Sequence, residues 1–164
     1  MITLLELLRE MEAESRTTRA MLSRVPAGKF DWQPHPRSMT LGRLAAHVAE
    51  LPGWVTITLT TADLDLGVEY TPVTIDTHAE LMSFFEERLA SGMSHLADAG
   101  ESELAKEWSL LKGGRVVSVR SKADVIRMAY CQLVHHRAQL GVFLRLLDVP
   151  IPGSYGPSAD EGAF

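Results

Sequence analysis

One cysteine, Cys131, is all the thiol this chain contains, so no disulfide can close within it and a disulfide-stapled scaffold is excluded. Long apolar runs are missing as well. None approaches the roughly 18 residues that a membrane helix needs, and the first fifteen residues lack the cationic start and small-residue cleavage site of a secretory signal. No internal repeat or low-complexity stretch is present. Positive charge is also short: 16 Lys and Arg stand against 21 Asp and Glu, a net charge of -5. There is no basic run to follow a phosphate backbone or an anionic bilayer. These absences predict a reduced, cytoplasmic, globular protein with neither nucleic acid nor membrane as a partner. At 164 residues the chain is the size of one domain, taken as 1–164.

What is there is mostly helical periodicity. From about Ile2 to Ser23, the residues Leu4, Leu8, Met11, Ser15, Thr18 and Leu22 form one stripe, which Val25-Pro-Ala-Gly28 ends. Phe30 to Ser38 mixes two aromatics with Pro34 and Pro36 and reads as an ordered connection. Ser38 or Thr40 can cap a second helix whose inner face is Leu41, Leu44, Val48, Leu51 and Val55. Pro52-Gly53 predicts a kink or a break before that helix continues to about Thr61. Thr61 to Gly67 and Tyr70-Thr-Pro72 read as connection. Thr77 and Glu80 make a capping box for a third helix to about Ala99, with Leu81, Phe85, Gly92 and Leu96 inward. Trp108 to Val119 alternates around Gly113-Gly114, a hairpin signature. Ser121 or Lys122 opens the last helix and Asp148-Val-Pro150 closes it, leaving an irregular tail. The sum is an all-α four-helix bundle with a short hairpin before the last helix.

That last helix carries polar nitrogen where a core should carry hydrocarbon. Val125, Ala129, Gln132, His136, Leu140, Phe143 and Leu147 recur on one stripe, which turns Gln132 and His136 inward one turn apart. A distant third polar residue, His47, lies on the inner stripe of the second helix. Two ligands four apart on a helix are about 6 Å from each other, a spacing suited to sharing a divalent ion. Three protein ligands leave room for water, which such an ion acidifies into a nucleophile; a bound thiol is deprotonated likewise. The competing reading makes His47 and His136 core histidines satisfied by each other, by Gln132 or by buried water. Glu50, three residues after His47, reads as solvated or as a carboxylate orienting the imidazole. Cys131 reads as a buried packing thiol. His135 faces away from His136, and His35, His78 and His95 read as surface residues. The three tryptophans read as packing between helix and loop.

Three segments carry a resemblance: Pro34-His-Pro-Arg-Ser-Met-Thr-Leu-Gly-Arg-Leu-Ala-Ala-His47, His135-His-Arg-Ala-Gln-Leu140 and Tyr155-Gly-Pro-Ser-Ala-Asp-Glu161. Together they resemble the DinB-like family over nearly the whole chain. The resemblance implies a four-helix bundle, a homodimer, and a divalent metal such as nickel or zinc. In the family the ion is held by one histidine on the second helix and a His-x-x-x-His pair on the last. Carried over residue by residue, the ligands are His47, Gln132 and His136, with glutamine standing where the family has its middle histidine. Asp160 or Glu161 would add an anionic oxygen if the tail folds over the site. Family members include thiol-dependent transferases and an isomerase. The implied activity is that of a metal-dependent hydrolase or thiol S-transferase acting on a small molecule such as a thiol. The alternative is a metal-free bundle that binds a small ligand or a partner subunit, because an amide oxygen is a poorer donor than imidazole.

Overall fold

Local side-chain chemistry sets each helix start. In the computed structural model, which describes residues 2–162, the Thr3 hydroxyl accepts from the Glu6 amide. The Glu6 carboxylate in turn accepts from the Thr3 amide at 2.8 Å, opening α1 (Leu4–Leu22). Thr40 caps α2 (Leu41–Glu50) through the Arg43 amide at 3.2 Å. Thr77 and Glu80 form the reciprocal box expected at the start of α4 (His78–Asp98), and Ser121 caps α5 (Lys122–Leu146) through the Asp124 amide. Each such cap satisfies amides that have no partner inside the helix.

Pro52 breaks the second helical run outright, and α3 (Gly53–Thr60) follows as a separate element. The corner packs against α4 at Gly92, where a Cβ would lie 2.7 Å from the Pro52 carbonyl oxygen. Only glycine permits that approach. Leu7, Leu44, Val55, Phe85, Ile126 and Leu140 are fully enclosed between the helices. Burial of side chains of this size stabilises by about 1.5–3 kcal/mol each.

The hairpin is present as β2 (Glu107–Lys112) and β3 (Arg115–Ser121), antiparallel, with Glu107 opposite Ser121. A third strand joins it. Asp63–Asp65, expected as connection, is β1, running parallel to β2 with Asp63 opposite Ser109. Three residues carry too little alternation to signal a strand. The Asp65 carboxylate accepts from the backbone amides of Gly67, Gly113 and Gly114 at 2.6–2.8 Å, tying β1 to the hairpin turn. These donors, Gly114 first, hold the carboxyl below its ordinary range. Gly113 and Gly114 have φ of 60° and 75°, the left-handed pair that a two-residue hairpin turn demands. Behind the sheet Leu64, Trp108 and Val125 form a second, smaller core, and Trp108 Nε1 donates to the Thr61 hydroxyl at 3.0 Å.

Five α-helices and a three-stranded sheet thus make up the described residues. The inner face of α5 differs from the expected stripe. Val125, Ile126, Ala129, Tyr130, Leu133, Arg137, Leu140 and Leu144 are buried, whereas Gln132 is exposed. The buried face at the helix centre is turned by about one residue, roughly 100°. None of the described helices is long and apolar enough to cross a membrane.

Candidate functional site

The helix crossing of α2 with α5 brings two of the three expected residues together. The rings of His47 and His136 meet edge to face, with centroids 4.5 Å apart and planes at 74°. On α2, three residues separate His47 from Glu50, one turn, and Nδ1 of His47 is hydrogen-bonded to the Glu50 carboxylate. A carboxylate can only accept, so Nδ1 carries the proton, and in the neutral ring the lone pair of His47 falls on Nε2. Glu50 is the orienting carboxylate: its side chain is 8% exposed, and a charge that deep must be partnered. The same oxygen accepts from the Tyr70 hydroxyl at 2.7 Å. Burial, then Glu50, pushes the Tyr70 phenol above its ordinary pKa, so it remains a donor. Arg43 closes the cluster, with Nη2 donating to the Tyr70 oxygen at 3.2 Å and Nη1 3.8 Å from Glu50.

On α5, His136 Nδ1 donates to the Gln139 amide oxygen at 2.9 Å, and the Gln139 amide nitrogen donates to His135 Nε2 at 3.1 Å. His135 is exposed and acts behind His136 through Gln139. The lone pair of His136 is again on Nε2. Burial is the main cause that pushes the His136 pKa below the ordinary imidazole value; His47, His135 and Arg43 add to it and Gln139 opposes it. Neutral imidazole with an unspent lone pair is the form in which histidine binds metal or takes up a proton.

Gln132 sits one turn before His136 but is exposed, so the third position is not enclosed with the other two. Among the described residues no three His, Cys, Asp or Glu side chains converge as a metal-ligand set. The donors fit the two-imidazole part of a metal site, including the carboxylate behind one histidine; the third ligand rests on an exposed amide or on water. Cys131, expected to be buried, is exposed, because the rotation of α5 that frees Gln132 frees its neighbour too. A groove of about 380 Å³ lined by Leu44, Gln139, Val142 and Phe143 shares Gln139 with the hydrogen bonds of His135 and His136.

The tail does not reach the histidines. Asp160 pairs with Arg145 and accepts from the Ile151 amide at 2.9 Å, and Glu161 accepts from the Gly153 amide at 2.9 Å. The tail is thereby stapled to the end of α5, and its carboxylates are spent there. The same folding builds a network that pattern reading missed. Arg137, 1% exposed, lies 2.6 Å from Glu14 and donates to the Thr18 hydroxyl at 3.1 Å and to the Tyr155 hydroxyl at 3.3 Å. Tyr155 donates to Glu14 at 2.7 Å. The only sequence sign was Glu14 beside Ser15 and Thr18 on the inner side of α1.

Solved structures share this architecture at low sequence identity. A DinB-like protein of Bacillus cereus ATCC 10987 superposes with a TM-score of 0.74 at 16% identity, covering 93% of this chain and 98% of its own. A DinB-like protein of Bacillus subtilis gives 0.71 at 12%, covering 91% and 97%. A mycothiol-dependent maleylpyruvate isomerase gives 0.62 at 19%, covering 85% of this chain and 61% of the isomerase. The fold is therefore DinB-like. The chain itself belongs to the DinB family, whose family model matches residues 1–163. No curated protein matches the sequence.

Proposed function

We propose that this chain is a DinB-family metal-dependent enzyme, a hydrolase or thiol S-transferase, in which His47 and His136 hold a divalent ion such as nickel or zinc. Gln132 or water completes the set. The observation that carries the reading is the pairing of two facing imidazoles whose Nδ1 protons are both engaged, leaving both Nε2 lone pairs unspent. Such an ion supplies acidification of a bound water or thiol near neutral pH. The protein's part is to hold the imidazoles. Glu50 locks the His47 ring and its tautomer, Tyr70 keeps Glu50 in place, and Gln139 does the same for His136. A structural neighbour named for mycothiol dependence favours a thiol as one small-molecule substrate.

The reading includes a cytoplasmic homodimer built on a four-helix bundle, with Val142 and Leu146 of α5, both 59% exposed, as the apolar contact. A second reading, a metal-free DinB fold that binds a small ligand, draws on the exposure of Gln132.

Elemental analysis of untagged protein separates the two. Near-stoichiometric nickel or zinc is expected in the wild type, lost in His47→Ala or His136→Ala with helical circular dichroism intact. Glu50→Gln should weaken the metal about 10–100-fold. Metal found only in Gln132→His would leave the metal-free reading standing.

A further inference from the structure

The sheet ends on one side at β3, since the strand order is β1-β2-β3. Which backbone groups face that open side follows from hydrogen bonds elsewhere in the ladder. The Ser109 amide donates to the Ala62 carbonyl, toward β1, and the Lys122 amide donates to the Lys106 carbonyl. Opposite residues in an antiparallel pair alternate between bonded and unbonded. Both observations give the same phase: Lys106 with Lys122 is a bonded pair, and Ser109 with Val119, three steps along, is not. Val119 therefore turns its amide hydrogen and carbonyl away from β2, to an edge where no strand pairs with them among the described residues.

Side chains and charge make this edge selective. Val116, Val117 and Val119 are all 50% or more exposed, and β-branched residues in water on an unpaired strand invite another strand. Val117 is the extra residue of a bulge, because Leu110 and Leu111 oppose Ser118 and Val116; regular pairing is therefore offered along residues 118–121. The chain carries a net charge of -5, yet residues 108–123 contain no Asp or Glu. Arg115 and Arg120 flank the valines, and Arg120 spends only Nε, on the Ser118 hydroxyl at 3.2 Å. Glu107 and Asp124 lie at the helix end, Glu107 opposite Ser121 and Asp124 accepting from its hydroxyl. Like charges disfavour pairing of β3 with the β3 of a second copy. The same arginines attract a strand that bears carboxylates.

We propose that β3 is a docking edge for an extended segment of a partner protein in which apolar residues alternate with Asp or Glu, added as a fourth strand beside Val119. Backbone hydrogen bonds supply the affinity and the arginines the choice of partner. The histidine pair takes no part.

The test titrates the isotope-labelled full chain with the capped heptapeptide Glu-Val-Glu-Val-Glu-Val-Glu, followed by amide NMR. Saturable shifts concentrated on residues 116–121 and slowed hydrogen exchange at the Val119 amide are expected, with no such response to the peptide carrying Lys for Glu. Val119→Pro removes the outward amide hydrogen without breaking a bond to β2 and should abolish binding. Arg115→Glu combined with Arg120→Glu should weaken the peptide about tenfold or more, and His47→Ala should leave it unchanged. No shift, shifts outside the hairpin, equal binding of the lysine peptide or unchanged binding in the arginine double variant would overturn the proposal. A dimer in sedimentation that Val119→Pro abolishes would also overturn it, assigning the edge to a second copy; so would tighter binding of a single-stranded oligonucleotide, assigning the arginines to phosphate. If Val119→Pro fails to fold, the arginine double variant and the lysine peptide still decide it.

Discussion

His136 and Arg137 are adjacent on α5 and live in opposite circumstances. The His136 ring meets His47 at 4.5 Å with a lone pair unspent. The Arg137 guanidinium is enclosed, balanced by Glu14 and bonded to Thr18 and Tyr155. One residue step, about 100° of helix, separates a half-buried group with a lone pair left open from a buried one that is balanced and bonded within the chain. A buried ion balanced by an opposite charge within the chain holds the chain together. A half-buried group with an unspent lone pair, held in one tautomer by a neighbour, is arranged for something not in the chain.

The sharpest way to break that contrast is to cut Arg137. Arg137→Ala strands the Glu14 carboxylate in the core and should cost about 3–5 kcal/mol, read from urea unfolding. Glu14→Leu combined with Arg137→Met should recover most of it, since an apolar pair replaces a buried ion pair at little cost. If Arg137→Ala costs no more than His136→Ala, the structural assignment of the network is wrong.

A smaller effect tests the other side. Because the folded pKa of His136 is depressed, the unfolded chain takes up the proton first as pH falls. The wild type therefore loses stability progressively from just above the ordinary imidazole value of 6.5 down through the lower folded value. His136→Gln should flatten this slope as pH falls below about 7.5. Gln139→Leu, which removes the one group raising the pKa, should move the ring titration lower still, as followed by NMR in metal-free protein. A His136 titrating above 6.5 would contradict the burial of the pair.

The smallest expected effect concerns Cys131. Exposed on the outer side of α5, it should react with one equivalent of a thiol reagent without denaturant, and Cys131→Ser should shift stability by no more than about 0.5 kcal/mol. Protection of the thiol in the native protein would restore the stripe read from sequence and bring Gln132 back toward the histidines.

Why that stripe misleads is a matter of one residue type. Periodicity assigns Arg137 outward because a charge is costly to bury, and turning Arg137 outward turns Gln132 inward. The cost is met by Glu14, which is 123 positions away, and by Tyr155 in a tail with no periodicity at all. Strand β1 escaped notice for a related reason. Its three residues become a strand only because β2 lies alongside and Asp65 reaches two glycines nearly fifty residues on.

Caps, breaks and turns were legible because their causes are local. Thr3, Thr40, Thr77 and Ser121 start helices with atoms no more than three or four residues away. Pro52 stops one through its own missing amide hydrogen, and Gly113-Gly114 turns a hairpin through its own freedom at positive φ. His47 and His136 were read as inward polar residues from the same local period; the structure leaves both half-buried where α2 crosses α5. The sequence by itself therefore determined where helices begin and end and placed two imidazoles beside the apolar stripes of α2 and α5. Tertiary structure alone decided the rotation of α5, the exposure of Gln132 and Cys131 and the destination of the tail carboxylates. Each of these depends on which distant group arrives to neutralise a charge or accept a hydrogen bond, and no local pattern encodes that arrival.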